Sequence, residues 1–323
     1  ARGVMKVGLE VFAGQGAAKF SHWGKVGLLS NQASVNREFT PAWQIFHEVL
    51  GDQLVALFGP QHGFFGTVQD NMIETGHGTH PETGLPLYSL YSETREPTAA
   101  MLAGLDTLVI DLQITGCRIY TWKSTICGCL RAAKAHGKKI VVLDRPNPVG
   151  GIALEGMTLE PAAYSFVGQM PMPMRHGLTA AEAAQFGNRD IGADLEVVPL
   201  TDWDPNSFWY ELNRPYVLTS PNLPTPEPVY IYPGTVIFEG TNLSEGRGTA
   251  LPFHFLGAPY IPSPEKFVAR VTELMKPYCP VDRAGVFLRP CQFQPTYQKW
   301  SDQACNGLQI HVLEPKRVPS FAL

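Results

Sequence analysis

The side chains able to do chemistry in this sequence are carboxylates and amides set in glycine-rich connections. Asp111, Asp144, Glu74, Glu239 and Glu245 stand among Asn31, Gln61, His62, Asn222 and Asn242, with Arg118, Arg145, His176 and Arg247 on similar stretches. That mixture suits a carbohydrate: hydroxyls need paired donors and acceptors, and ring faces need apolar platforms. Hydrolysis of a glycosidic bond needs an acid at the leaving oxygen. Opposite it stands a second carboxylate or the substrate's own acetamido group. Loop carboxylates occur in every soluble protein, so each residue also has a plain structural reading. Asp111 suits a helix cap or an ion pair with Arg118. Asp144 and Arg145 suit an ion pair holding the RPNP turn. His62, wedged between Gln61 and Gly63, suits a hydrogen bond to backbone, and His176 in MRHGL a loop brace. Glu239 follows the apolar TVIF, where a lone charge is costly, so it is either paired with Arg247 or catalytic. Trp203, Trp209 and Tyr210 suit a core more than a sugar platform.

These residues cluster where apolar runs end. LVALF, residues 54–58, is long enough for a buried parallel strand and breaks at Gly59 and Pro60 into Gln61, His62 and more glycine. The same break recurs after VGLLS (Asn31, Gln32), LVIDL (Gln113, Gly116, Arg118) and IVVL (Asp144, Arg145, Asn147). Between the runs lie amphipathic stretches. PAWQIFHEVLG places Pro41 at a first helical position with Gly51 as its stop. TREPTAAMLAGL is capped at Thr98, and TWKSTICGCLRAAKAHG is closed by Gly137. HGLTAAEAAQF opens on a Thr179–Glu182 capping box and ends early at GNRD, as though residues were absent there. LPLYSL and LEVVPL add strands. Alternating strands and helices imply an α/β domain with a parallel sheet and right-handed crossovers, over residues 1–201, its strand ends gathering candidate ligands along one edge. From Asp202 prolines and aromatics crowd into a wall-like stretch. Beyond it SPEKFVARVTELM reads as a helix, and GVFLRPCQFQP and GLQIHVLE as strands, of a smaller α+β domain over 202–323. The chain stops at Leu323 straight after a strand, which reads as a truncation. It opens on Ala1 rather than Met, which reads as an upstream segment removed.

Composition narrows the function classes. In 323 residues, 44% are hydrophobic and 17% charged, which are globular values. A net charge of −4 argues against a nucleic-acid partner, which would need clustered Lys and Arg. No apolar run is long enough to span a membrane, and ARGVMKVGLEVF lacks the core of a signal peptide. The six cysteines form no CxxC and no His sits at finger spacing, so neither zinc nor another metal is expected. The turn after the first strand, SNQAS, has no glycine, and Gly14-Gln15-Gly16 is half a dinucleotide fingerprint away from a clear strand. No GxxxxGK[ST] occurs either, so no nucleotide cofactor is expected.

Eight motifs run in order along nearly the whole chain: FGPQHGFFG, LYSLY, VIDLQ…G.R.YT, VLDRPNPVGG, MPMRHGLT, SPNLPT, YPGT…EGTNLSEGRGT and GAPYI. Together they resemble the NamZ-type exo-β-N-acetylmuramidases, a glycoside hydrolase family first known as a domain of unknown function. The resemblance implies a Rossmann-like N-terminal domain, a smaller C-terminal domain and an active site in the cleft between them. It implies release of terminal N-acetylmuramic acid from the non-reducing ends of peptidoglycan fragments without metal or nucleotide. The compartment stays open, a periplasmic or secreted one being slightly favoured over the cytoplasm. Its partner is a small saccharide or muropeptide; oligomeric state stays open. The chain departs from the family pattern at three places. Gln61 stands where many members have glutamate, a candidate general acid, so Glu74 on the same loop replaces it or the acid lies elsewhere. DLQITG stands where members commonly read DIQDVG, and members continue past the equivalent of Leu323. On this reading Asp111 and Glu239 are the catalytic carboxylates. His62, Asn31, Asp144, Asn222 and Asn242 hold hydroxyls and the acetamido group, and Arg247 or Arg145 takes the lactyl carboxylate. A binding protein without activity is the rival from another class. An amidase or esterase ranks lower, since no GxSxG elbow occurs.

Overall fold

Seven strands build the main sheet in the computed structural model, which describes residues 3–70 and 73–323. They are β1 (Val26–Leu29), β2 (Leu54–Gly59), β3 (Gly78–Thr79), β4 (Pro86–Ser89), β5 (Thr107–Ile110), β6 (Lys139–Leu143) and β7 (Asp194–Val198), in the spatial order β3-β4-β2-β1-β5-β6-β7. All pairings are parallel except the edge strand β3, which runs antiparallel to β4. Taken alone, the six parallel strands stand in the order third, second, first, fourth, fifth, sixth. That is the Rossmann-like doubly wound order, reversing between β1 and β5, where an open α/β sheet forms its ligand crevice. β1 and β5 are buried at every residue, as strands covered on both faces must be, and therefore read as unbroken apolar runs.

Helices α1 (Gly8–Ala13), α2 (Ala42–Leu50), α3 (Ala99–Leu102), α4 (Trp122–His136) and α5 (Ala180–Ile191) accompany this sheet. α1 and α2 enclose an aromatic core in which Phe12 stacks on Phe46 at 4.2 Å and on Trp23 at 5.7 Å between ring centroids. Pro41 is the N-cap of α2 rather than its first helical residue. Thr98 and Thr179 cap as expected, Thr179 in a capping box with Glu182. The early end expected at GNRD is corrected: α5 continues through those residues to Ile191 and closes on Gly192 at φ 72°. Gly187 is there because α4 lies close. A Cβ at that position would meet the Cys127 Sγ at 2.7 Å and the Met170 Sδ at 3.1 Å.

The contacts divide the chain into one unit of residues up to 152, 159–171 and 177–221, and another of 153–158, 172–176 and 222–323. The division falls after Pro221 rather than after Thr201. The stretch from 202 packs back on the first unit, where Trp209 N–H donates to Pro148 O at 2.9 Å and Gly151 N–H to Pro205 O at 2.7 Å. Arg214 also forks onto Glu10 at 2.8 and 3.0 Å.

In the second unit, β8 (Phe255–Ala258), β9 (Val286–Phe293) and β10 (Cys305–Val312) make an antiparallel sheet in the order β8-β10-β9. Leu256, Leu288, Leu308 and Ile310 share one core with Met275 and the partly buried Phe267 and Val271 of helix α7 (Pro264–Met275), which is capped by Ser263. The short helix α6 (Tyr232–Thr235) runs into a 3-10 turn, Val236–Gly240, so the apolar TVIF is helical. The two inserted segments are tied to the end of the chain: Arg175 bonds Glu155 at 2.5 Å, and Ser320 Oγ and Val318 O at 3.3 Å. Among the described residues no helix is long and apolar enough to cross a membrane.

Candidate active site

At the reversal point of the sheet, the ends of β1 and β5 are joined by a polar lattice. Ser34 Oγ donates to Asp111 O at 2.5 Å, and Asn31 N–H donates to Ser34 Oγ at 3.0 Å. Asn31 Oδ1 accepts from Ala33 N–H at 3.0 Å, closing a tight side-chain turn, and its Nδ2 donates to Thr219 O at 3.4 Å. Side chains thus close the turn that in a dinucleotide fold is lined by glycine amides.

One strand further, Asp111 and Arg145 form a two-pronged ion pair. Nε donates to Oδ1 at 2.5 Å and Nη2 to Oδ2 at 2.9 Å. Asp111 has no exposed surface, Arg145 is 2% exposed, and its Nη2 also reaches Val35 O at 3.0 Å. The sequence offers Arg118 as an ion-pair partner for Asp111, beside a helix cap, and Arg145 as one for Asp144, beside a ligand contact. Neighbouring strands β5 and β6 instead bring residue 111 against residue 145. Asp144 turns to α5, accepting from Ala181 N–H at 2.9 Å and Thr179 Oγ1 at 3.2 Å. Burial pushes its carboxyl up to about 6, against those hydrogen bonds. Arg118 is half-buried, and burial lowers its pKa, opposed by Cys117.

The loop after β2 holds Gln61 and His62, both buried. Gln61 Oε1 accepts from Thr121 Oγ1 at 2.7 Å. His62 sits at φ 71°, a left-handed backbone, with Nδ1 2.7 Å from Val68 O. Glu74 is 59% exposed at its side chain and pairs with Arg95 at 3.5 Å; that guanidinium lies 3.8 Å above the Tyr91 ring.

In the second unit the EGTNLSEGRG turn gathers a four-charge cluster. Arg247 Nε and Nη2 both reach Glu239 Oε1, at 2.9 and 2.6 Å, and Nε lies 3.6 Å from Glu245. Lys299 closes it, 2.8 Å from Glu245 and donating to Phe238 O at 2.7 Å and Thr241 O at 3.1 Å. Burial works against the Arg247 charge, yet Glu239, Tyr232 and Glu245 more than offset it and raise its pKa. Asn222 is buried and accepts from Tyr297 at 2.9 Å, whereas Asn242 is exposed. His176 is buried on the inserted segment 172–176.

The structure therefore brings Asn31, Asp111 and Arg145 together in one unit, and Glu239, Glu245 and Arg247 together in the other. Both arginines expected to be open to a substrate carboxylate already hold a protein carboxylate. Lys299 was missed by sequence reading. Its signal is a lysine between two aromatics in YQKW, outside any periodic element. Among the described residues no cluster of His, Cys, Asp or Glu is arranged to hold a metal.

Comparisons with known proteins cover the same ground. The N-terminal family model of exo-β-N-acetylmuramidase NamZ matches residues 26–227, and its C-terminal model matches 230–323. The chain is 41% identical over 292 residues to the peptidoglycan β-N-acetylmuramidase NamZ of Bacillus subtilis strain 168, covering 90% of this chain and 68% of that one. Two crystal structures of DUF1343 family proteins from Bacteroides fragilis are similar. One has a TM-score of 0.86 at 32% identity, over 100% of this chain and 80% of its own. The other has a TM-score of 0.70 at 27% identity, over 94% and 76%. With both halves matched in order on a doubly wound sheet and a smaller antiparallel one, the chain belongs to the NamZ family of exo-β-N-acetylmuramidases.

Proposed function

We propose that this protein is an exo-acting glycosidase that releases terminal N-acetylmuramic acid from the non-reducing ends of peptidoglycan fragments. The observation that carries the reading is the match of both NamZ halves in order, residues 26–227 and 230–323, on a chain whose polar side chains sit at strand ends and in one glycine-rich turn. Glu239 is the proposed charged carboxylate. Arg247 takes only its Oε1, leaving Oε2 for the developing positive charge on the sugar. Glu74 is the proposed acid in place of Gln61, whose amide has no proton of carboxylic strength to give. Asp111 has both oxygens held by Arg145 in a solvent-free position, so its proposed role is to fix the ends of β5 and β6 rather than to move a proton. Asn31 and His62 shape their loops, and Asp144 holds α5 in place. Asn222, Asn242, Glu245 and Lys299 are the proposed sugar-binding residues of the second unit.

Gln61 favours a second reading, a protein that holds cell-wall fragments without cutting them. A chromogenic muramide separates the two. Turnover that falls at least a hundredfold in Glu239→Gln and in Glu74→Gln supports the glycosidase; calorimetric binding with no turnover in the wild type supports the binder. An esterase is disfavoured by the Ser92–His77–Glu93 cluster. His77 Nδ1 accepts from Ser89 N–H at 2.9 Å, so Nε2 carries the proton facing Glu93 at 2.9 Å and cannot take one from Ser92.

A further inference from the structure

Beyond the charged cluster, the second unit displays an aromatic pair that no charge explains. The Tyr260 hydroxyl donates to Asn242 Oδ1 at 2.6 Å, and the Trp300 indole N–H donates to Asn242 O at 2.7 Å. The rings stand 5.8 Å apart at 69°, with Tyr260 52% exposed. Both polar ends are spent on one residue, so the rings are held by hydrogen bonds, Tyr260 exposed and Trp300 half-buried. Because Asn242 accepts from Tyr260 through Oδ1, its Nδ2 keeps two donors on an exposed residue, and among the described residues no acceptor takes them.

The loop that presents Trp300 is held in an unfavourable backbone. Gln298, Trp300 and Asp302 lie at φ 65°, 60° and 60°, a left-handed conformation that side-chain-bearing residues rarely adopt. Lys299, between them, is anchored on Phe238 O, Thr241 O and Glu245. The anchor fixes Trp300 to the same turn that carries Glu239.

We propose that Tyr260, Trp300 and Asn242 form the subsite for the sugar on the leaving-group side of the scissile bond. The ligand class is an N-acetylhexosamine, whose less polar ring face stacks on an aromatic ring while Asn242 Nδ2 donates to a hydroxyl or the acetamido carbonyl. An exo-acting enzyme must enclose the terminal sugar yet leave the next one open, since the glycan continues from it. An exposed platform suits the second position and buried polar groups suit the first. This assignment rests on the glycosidase reading above and extends it.

The test compares two substrates of equal terminal sugar. One is the N-acetylmuramyl-N-acetylglucosamine disaccharide; the other is a muramyl β-fluoride, whose leaving group has no ring. The ratio of kcat/KM, disaccharide over fluoride, falls roughly tenfold in Trp300→Ala and in Tyr260→Ala, carried by KM, and recovers most of its value in Tyr260→Phe. A ratio within twofold of wild type in both alanine variants, each folded by circular dichroism, overturns the proposal. Saturation-transfer NMR with free N-acetylglucosamine needs no turnover: ring-proton signals in the wild type vanish in Trp300→Ala. If the wild type cleaves neither substrate, the glycosidase reading fails, and the NMR signal still decides whether the platform holds a sugar. Signals that persist in Trp300→Ala also overturn it.

Discussion

Replacing Asp111 by Asn separates a structural role from a catalytic one. The carboxylate receives two charge-assisted hydrogen bonds, 2.5 and 2.9 Å long, from an arginine that is itself 2% exposed. Asparagine can accept one of them, but it leaves the guanidinium uncompensated in a solvent-free site, with Val35 O as its remaining partner. Breaking a buried pair on one side costs about 3–5 kcal/mol, because the stranded charge keeps its desolvation penalty. Arg145→Met on top of Asp111→Asn removes that charge and fills similar volume. The double variant should therefore regain about half or more of the loss. Urea unfolding of both single variants and the double, followed by fluorescence, gives the cycle. A drop of less than about 1 kcal/mol in Asp111→Asn, together with loss of turnover on a muramide, would refute the structural assignment and return Asp111 to the chemistry.

Three further outcomes follow from named contacts. Asp144 is held near 6 by burial, above its ordinary value of 3.8, so the folded state grips the proton more tightly. Its contribution to stability is full below about pH 4 and is lost as pH rises to about 6, by up to about 3 kcal/mol; Asp144→Asn should flatten that slope in thermal unfolding scanned over this window. Gly187→Ala should lower stability by about 1–3 kcal/mol despite better helix propensity, since its Cβ would lie 2.7 Å from Cys127 Sγ. Urea midpoints should show the loss reversed by adding Cys127→Ala. Thr179→Ala should cost about 1–2 kcal/mol, because the hydroxyl both accepts from Glu182 N–H and donates to Asp144. Retained stability in that variant would show that α5 does not depend on its cap.

The frame was legible where one physical signal dominates. Fully buried parallel strands leave unbroken apolar runs, so β1, β2, β5 and β6 could be read directly, and Thr179 with Glu182 announced α5. The end of α5 could not be read, since Gly187 is explained by the neighbouring Cys127 and Met170 rather than by local propensity. β8 escaped notice because Phe255–Ala258 is short and half glycine and alanine. Partners across strands were hidden for a related reason. Glu239 and Arg247 are close in sequence, so their pairing is one of the two readings the sequence offers, whereas Asp111 meets Arg145 only through the adjacency of β5 and β6. The Trp300 platform lies in a loop without period, and its strained backbone leaves no mark on composition.

The route of the chain through the second unit constrains how that unit is made. Residues 153–158 and 172–176 leave the ribosome well before 318–320, yet Arg175 is secured by the Val318 carbonyl and the Ser320 hydroxyl. These two early segments must wait, undocked, until the last stretch of the described chain emerges. A fragment started at Asn222 would lack them, and expression of the C-terminal half by itself would yield a body missing two of its own pieces.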